Sequence, residues 1–164
     1  MDKLFFFSFW GIVSLIAMLL CAIAWRDGRT KLISLGENIA LVYLGVLWHL
    51  LSDSQLTSLL LGLLAGVAGF SIVAGKIIVQ TYKNQPLSLY HGDAILFAST
   101  GFLLGPLGLA YAFIINAPFY IFHHLWIAKR AERSIWKGYA PVAPAYCTAV
   151  GIVFGMQVHM GEIL

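Results

Sequence analysis

Six apolar stretches of about twenty residues, each closed by a short polar loop, leave this chain few ways to fold. Hydrocarbon offers the backbone no hydrogen-bond partners, so a run of that length crosses it as a helix, which satisfies its own N–H and C=O groups. The runs cover residues 4–25, 32–51 and 56–79, a fourth that starts between 87 and 93 and ends at Gly105-Pro106, then 107–128 and 139–160. Composition agrees. Hydrophobic residues make up 60% and charged residues 10%, against about a quarter charged in an ordinary soluble domain. Mean hydropathy is +0.87. The expectation is an all-α polytopic membrane protein, a bundle of about six transmembrane helices forming one domain over 1–164. The first run is too long for the apolar part of a signal peptide, and further runs follow it.

The basic residues orient this arrangement. Arg26, Arg29, Lys31, Lys76, Lys83, Lys129, Arg130, Arg133 and Lys137 fall on one side, and Lys3 alone on the other. Short loops rich in Lys and Arg stay in the cytoplasm, so both termini are expected outside. Trp25, Trp126 and Trp136 sit near the inner boundary and Trp48 near the outer one, as interfacial rings do. The pI near 9.0 therefore reports topology and membrane lipid, with no nucleic-acid partner implied. Cys21 and Cys147 lie in apolar runs as small hydrophobes. The chain has no Cys-x-x-Cys pair, which excludes a zinc ribbon, and neither a metal nor a cofactor is expected. Gly62-x-x-x-Gly66, Gly101-x-x-x-Gly105 and Gly151-x-x-x-Gly155 are expected to let helices approach one another within the chain.

Two carboxylates stand out, Asp27 just past the first run and Asp93 at the mouth of the fourth, both on the basic side. An acid at the edge of a span is costly to hold there, which marks it as functional. A pair of acids can hydrolyse a peptide bond. The ionised one takes a proton from water, and the protonated one donates to the carbonyl and then to the leaving amine. Two close carboxylates reach this state by sharing one proton. A plainer reading of the same residues makes Asp27 a solvated turn acid paired with a neighbouring Arg, and Asp93 a helix N-cap.

The segments around both acids resemble those of a known family. Asp27-Gly28-Arg29-Thr30-Lys31-Leu32-Ile33 resembles the Asp-x-Arg-x-x-x-Ile segment of the type IV prepilin peptidases. Tyr90-His91-Gly92-Asp93-Ala94-Ile95-Leu96 is similar to their GxGD-x-Lys-Leu segment, with Gly101 and Gly105 in register. Ala140-Pro141-Val142-Ala143-Pro144-Ala145 resembles their Pro-Phe-Gly-Pro segment. The three occur in the family's order and span essentially the whole chain. The resemblance implies a GxGD-type intramembrane aspartic endopeptidase of the bacterial inner membrane. Such an enzyme removes the basic leader of prepilin or pseudopilin-like substrates on the cytoplasmic face, serving type IV pilus or protein secretion machinery. Asp27 and Asp93 match the family's catalytic aspartates. The insert that carries cysteine pairs and methylates the new N-terminus in larger members has no counterpart here. Tyr90 stands at the first glycine of GxGD and Ile95 at the lysine. Ser34-Leu35 stands where Pro-Asn is common, and Val142-Ala143 where Phe-Gly is common.

Gly92, Tyr90, His91 and Glu37 are the candidates for substrate contact or support of the acids. Glu37 also suits the first turn of a helix, where the dipole favours an acid. His123 and His124 are adjacent, so they point to different helix faces and do not form an i, i+4 metal pair. His49 and His159 fall toward the outer side. Pro118 is expected to kink its helix. Two other functions fit the residues: a catalytically impaired relative serving as a membrane component of a pilus or secretion assembly, and a small proton-coupled carrier. The carrier ranks last, because no internal repeat is visible and the acids lie at one edge rather than the bilayer midplane.

Overall fold

The computed structural model describes residues 3–30, 32–51, 55–84, 91–130 and 141–160, and all the regular structure among them is helical. In chain order the helices are α1 (Lys3–Thr30), α2 (Leu35–Leu50), α3 (Gln55–Tyr82), α4 (His91–Arg130) and α5 (Ala143–Met160). Tyr90 and most of the basic stretch 129–138 lie outside the described residues. Three helices, α1, α3 and α4, are long and apolar enough to cross a membrane. Large apolar side chains such as Met18, Leu64, Ile114 and Phe122 face outward.

The first helix corrects a sequence expectation. Arg26–Lys31 reads as a charged loop, yet α1 continues through it to Thr30. Gly28 costs a helix only about 1 kcal/mol, and local contacts hold the last turn. The Thr30 hydroxyl donates to the Arg26 carbonyl at 2.9 Å, and the Arg29 guanidinium lies 4.1 Å from the Trp25 ring centre. Asp27 is thus carried on a helix. Residues 32–34 bridge to α2, with Ser34 extended and the Asn38 amide donating to its carbonyl at 2.9 Å. At its far end α3 stops where Asn84 takes φ 51°, a left-handed cap that asparagine tolerates.

Helix α4 is two limbs rather than one rod. Gly105 has φ 71° and ψ −179°, a region open to glycine and closed to most side chains. Pro106 then supplies no N–H and disfavours helix in the residue before it. The Phe97 and Phe113 rings lie 5.2 Å apart, whereas sixteen residues of straight helix would separate them by about 24 Å. The second limb therefore runs back along the first. The Leu104 carbonyl at the break accepts from the Gln157 amide at 3.0 Å. Through Pro118 the backbone stays helical, so the departure from helix falls at Gly105.

Glycines set the closest helix contact. A Cβ at Gly101 would lie 2.6 Å from the Ala65 carbonyl oxygen, and one at Gly66 3.0 Å from that of Ala98. So α3 and the first limb of α4 touch backbone to backbone, as small residues permit. The third glycine pair departs from the expected pattern. Nothing lies within 4 Å of a Cβ at Gly151 or Gly155, and both are exposed. Inside the bundle, Tyr146 of α5 stacks on Phe97 at 3.9 Å and shares a hydrogen bond with the Thr100 hydroxyl at 2.9 Å.

Candidate active site

Asp27 and Asp93 are both buried, each with 1% of its surface exposed. For Asp27 this removes the plainer reading of a solvated turn acid. Asp93 lies within the first turn of α4, where the positive end of the helix dipole favours an anion. Asp27 reaches across the fold instead of to a neighbouring Arg. Its Oδ2 accepts a hydrogen bond from the Ala143 N–H at 3.0 Å, so it caps the start of α5 from another helix. Gly28 packs against Pro144, where a Cβ would sit 3.7 Å from Cγ. The end of α1 is thereby seated on the beginning of α5.

Asp27 lies within electrostatic range of His123, and Asp93 of Tyr120, both on the second limb of α4. Residues three apart share a helix face. The Tyr120 ring lies 6.0 Å from that of His124, nearly parallel. His123 also hydrogen-bonds the Pro141 carbonyl ahead of α5. Asp27 lies beyond the first apolar run of the sequence, which ends at Trp25, but within a helix long and apolar enough to cross a membrane. Asp27 Oδ1 and His123 Nδ1 are among the buried polar atoms with no hydrogen-bond partner among the described residues.

The other sequence candidates divide. Gly92 brings the start of α4 against the linker after α1, since a Cβ there would lie 3.1 Å from Ile33 Cβ. Glu37 holds Arg26, its carboxylate 3.2 Å from Nε, and so braces the residue beside Asp27. His91 is exposed, and Tyr90 lies outside the described residues. Ala143, Tyr120 and His123 were not foreseen as neighbours of the acids. Only the His123-His124 pair carried a visible signal, and it was weighed solely as a metal site. Among the described residues no three His, Cys, Asp or Glu side chains are grouped to hold a metal.

Two cavities flank this end. One, of about 320 Å³, lies between the second limb and α5, with His123, Trp126, Pro144 and Thr148 in its wall. The other, of about 470 Å³, is an apolar groove between α2 and α3. At its floor the Ser99 hydroxyl donates to Asn38 Oδ1 at 2.7 Å.

A second buried polar cluster sits at the opposite end of α2. His49 Nε2 donates to the Phe102 carbonyl at 2.6 Å. A carbonyl can only accept, so Nδ1 takes the Ser58 hydroxyl, also at 2.6 Å. This cluster ties α2, α3 and α4 together.

No protein-family model matches the chain, and it has no significant match among curated proteins or solved structures.

Proposed function

We propose that the protein is a membrane aspartic endopeptidase that removes the leader of a prepilin or pseudopilin-like substrate, with Asp27 and Asp93 as its acid pair. One observation carries this reading: two carboxylates, 66 positions apart in sequence, are both buried at one end of the fold, one in the last turn of α1 and one in the first turn of α4. Burying a charge is costly unless something is gained by it, and perturbed acids gather at functional sites.

In this reading the two limbs of α4 are separate passes, giving six passes in all. Both termini are outside and the acids face the cytoplasm of a bacterial inner membrane. The ionised carboxylate takes a proton from a water, whose oxygen attacks the scissile carbonyl carbon. The protonated carboxyl donates to the carbonyl oxygen as the tetrahedral intermediate forms. Collapse breaks the C–N bond: the proton first taken from water goes to the leaving amine, and the hydroxyl that becomes the carbonyl returns its proton to the second carboxylate. Gly92 lets α4 close on Ile33, and Glu37 steadies Arg26 beside Asp27.

The test is co-expression with a small protein that carries a basic leader, a glycine and then an apolar helix, drawn from the neighbouring reading frames. Wild type should shorten it, and Asp27→Asn and Asp93→Asn should each abolish shortening with insertion intact. Substantial shortening by either variant sinks the acid pair. None by wild type favours the impaired relative. Reporter fusions check the passes: one after Arg133 should behave as cytoplasmic and one at Leu164 as periplasmic.

A further inference from the structure

The charged groups in the last turns of α1 are engaged unequally. Arg26 is held by Glu37 at 3.2 Å, and Asp27 turns inward to the Ala143 N–H. Arg29 is exposed, and its guanidinium lies 4.1 Å from the ring centre of Trp25, which is exposed as well. Among the described residues no acid lies within ion-pair distance of Arg29. A guanidinium resting on a ring keeps its N–H groups for a phosphate, which it can meet with two hydrogen bonds.

One turn back along α1 a groove opens between α1 and α5. It holds about 290 Å³ and is lined by Ala17, Cys21 and Ala24 on one side and by Cys147, Thr148 and Gly151 on the other. Ala17, Cys21, Thr148 and Gly151 are exposed, and α1 is long and apolar enough to cross a membrane, so hydrocarbon reaches the groove. The Thr148 hydroxyl already donates to the Pro144 carbonyl at 2.8 Å. Thickness decides what fits. Ala17 to Ala24 is about 10 Å of helix, which gives the groove a section of roughly 30 Å². An α-helix about 10 Å across has a section of about 80 Å², whereas an acyl chain is one methylene wide.

We propose that this groove seats one anionic phospholipid, with an acyl chain laid between α1 and α5 and the phosphate at Arg29. A cation with no acid beside it, at the end of an apolar groove, complements a ligand that is anionic at one end and hydrocarbon at the other. One turn farther along, the two walls meet where Gly28 packs against Pro144. The lipid thus clasps the same two helices whose contact holds Asp27. The site does not depend on the protease reading.

The experiment is photolabelling of the full-length protein in lipid nanodiscs. A phosphatidylglycerol with a diazirine in its acyl chain is compared with a phosphatidylcholine carrying the same chain, and the labelled peptides are mapped by mass spectrometry. Segments 17–24 and 147–151 should take about five times more of the anionic lipid, while the exposed Leu60 and Leu64 of α3 should take both equally. Arg29→Gln should remove the preference and Arg29→Lys should keep most of it. Gly151→Leu should cut labelling of the groove by both lipids. Nothing lies within 4 Å of a Cβ at Gly151, so the fold should stay intact, and an unchanged thermal midpoint checks this. Equal labelling of the groove by the two lipids overturns the proposal, since that is ordinary contact with the bilayer. So does a preference that survives Arg29→Gln, or groove labelling undiminished in Gly151→Leu. Competition by inorganic phosphate would replace the lipid site with a phosphate site.

Discussion

The two buried polar clusters at opposite ends of α2 are built from similar parts and finished differently. At the end away from the acids His49 has both ring nitrogens engaged at 2.6 Å, by Ser58 and by the Phe102 carbonyl. At the acid end His123 and Asp27 each keep a buried atom with no partner among the described residues. A fully satisfied network fastens helices together. Bare polar atoms in a buried place cost about 1–3 kcal/mol each, and such atoms concentrate where chemistry happens. The difference teaches that substitutions at one end should register as stability, and at the other as activity.

The largest expected effect tests the acid end. Asp27→Asn should lower cleavage about a thousandfold or more, while the thermal midpoint in detergent stays level or rises. Asparagine still accepts from Ala143 and carries no buried charge. A large fall in the midpoint would make Asp27 a structural acid and erase the contrast. Next comes the glycine seam. Gly101→Val forces a side chain onto the Ala65 carbonyl and should cost about 3 kcal/mol, seen as lost folded protein and therefore lost activity. An unchanged midpoint would mean that α3 and α4 are not in backbone contact.

The His49 cluster should yield a smaller, purely structural loss. His49→Leu strands the Phe102 carbonyl and the Ser58 hydroxyl, costing about 2 kcal/mol. Cleavage per folded molecule should not change. A change in the pH profile would show that the two ends communicate. The smallest effect belongs to Glu37→Gln. Its partner Arg26 is half exposed, so the pair contributes under about 1 kcal/mol. A tenfold loss of cleavage there would promote Glu37 from brace to working part.

Much of this was legible in the sequence, for reasons that differ by residue. Asp27 and Asp93 stood out because charge is rare in a chain this apolar. The reversal at Gly105-Pro106 was readable because the dipeptide combines a freed φ with a missing N–H. Helix through Arg26–Thr30 was not, since charge was taken for a break although only Gly28 opposes helix there. Gly151 and Gly155 were expected to pack and do not, because spacing shows that a face is smooth without showing what covers it. The Ala143 N–H was beyond reach: it meets Asp27 across 116 positions, and a backbone donor leaves no trace in residue identity. His123 was in plain view, but was tested only against its neighbour in sequence.

The reversal at Gly105 bears on how the chain is made. The described part of the first limb, residues 91–104, is about 21 Å long, against the roughly 30 Å of hydrocarbon that an independent crossing requires. In the six-pass reading a limb of that length would not leave the translocation channel by itself and wait for its partner. It would enter the lipid together with the second limb as one helical hairpin, so the earliest stable intermediate during synthesis would already contain the turn. A residue that resists φ 71° at position 105 would then act during synthesis. The ribosome would be releasing a chain whose fourth pass had not yet been inserted, and quality-control proteases would meet it before any substrate did.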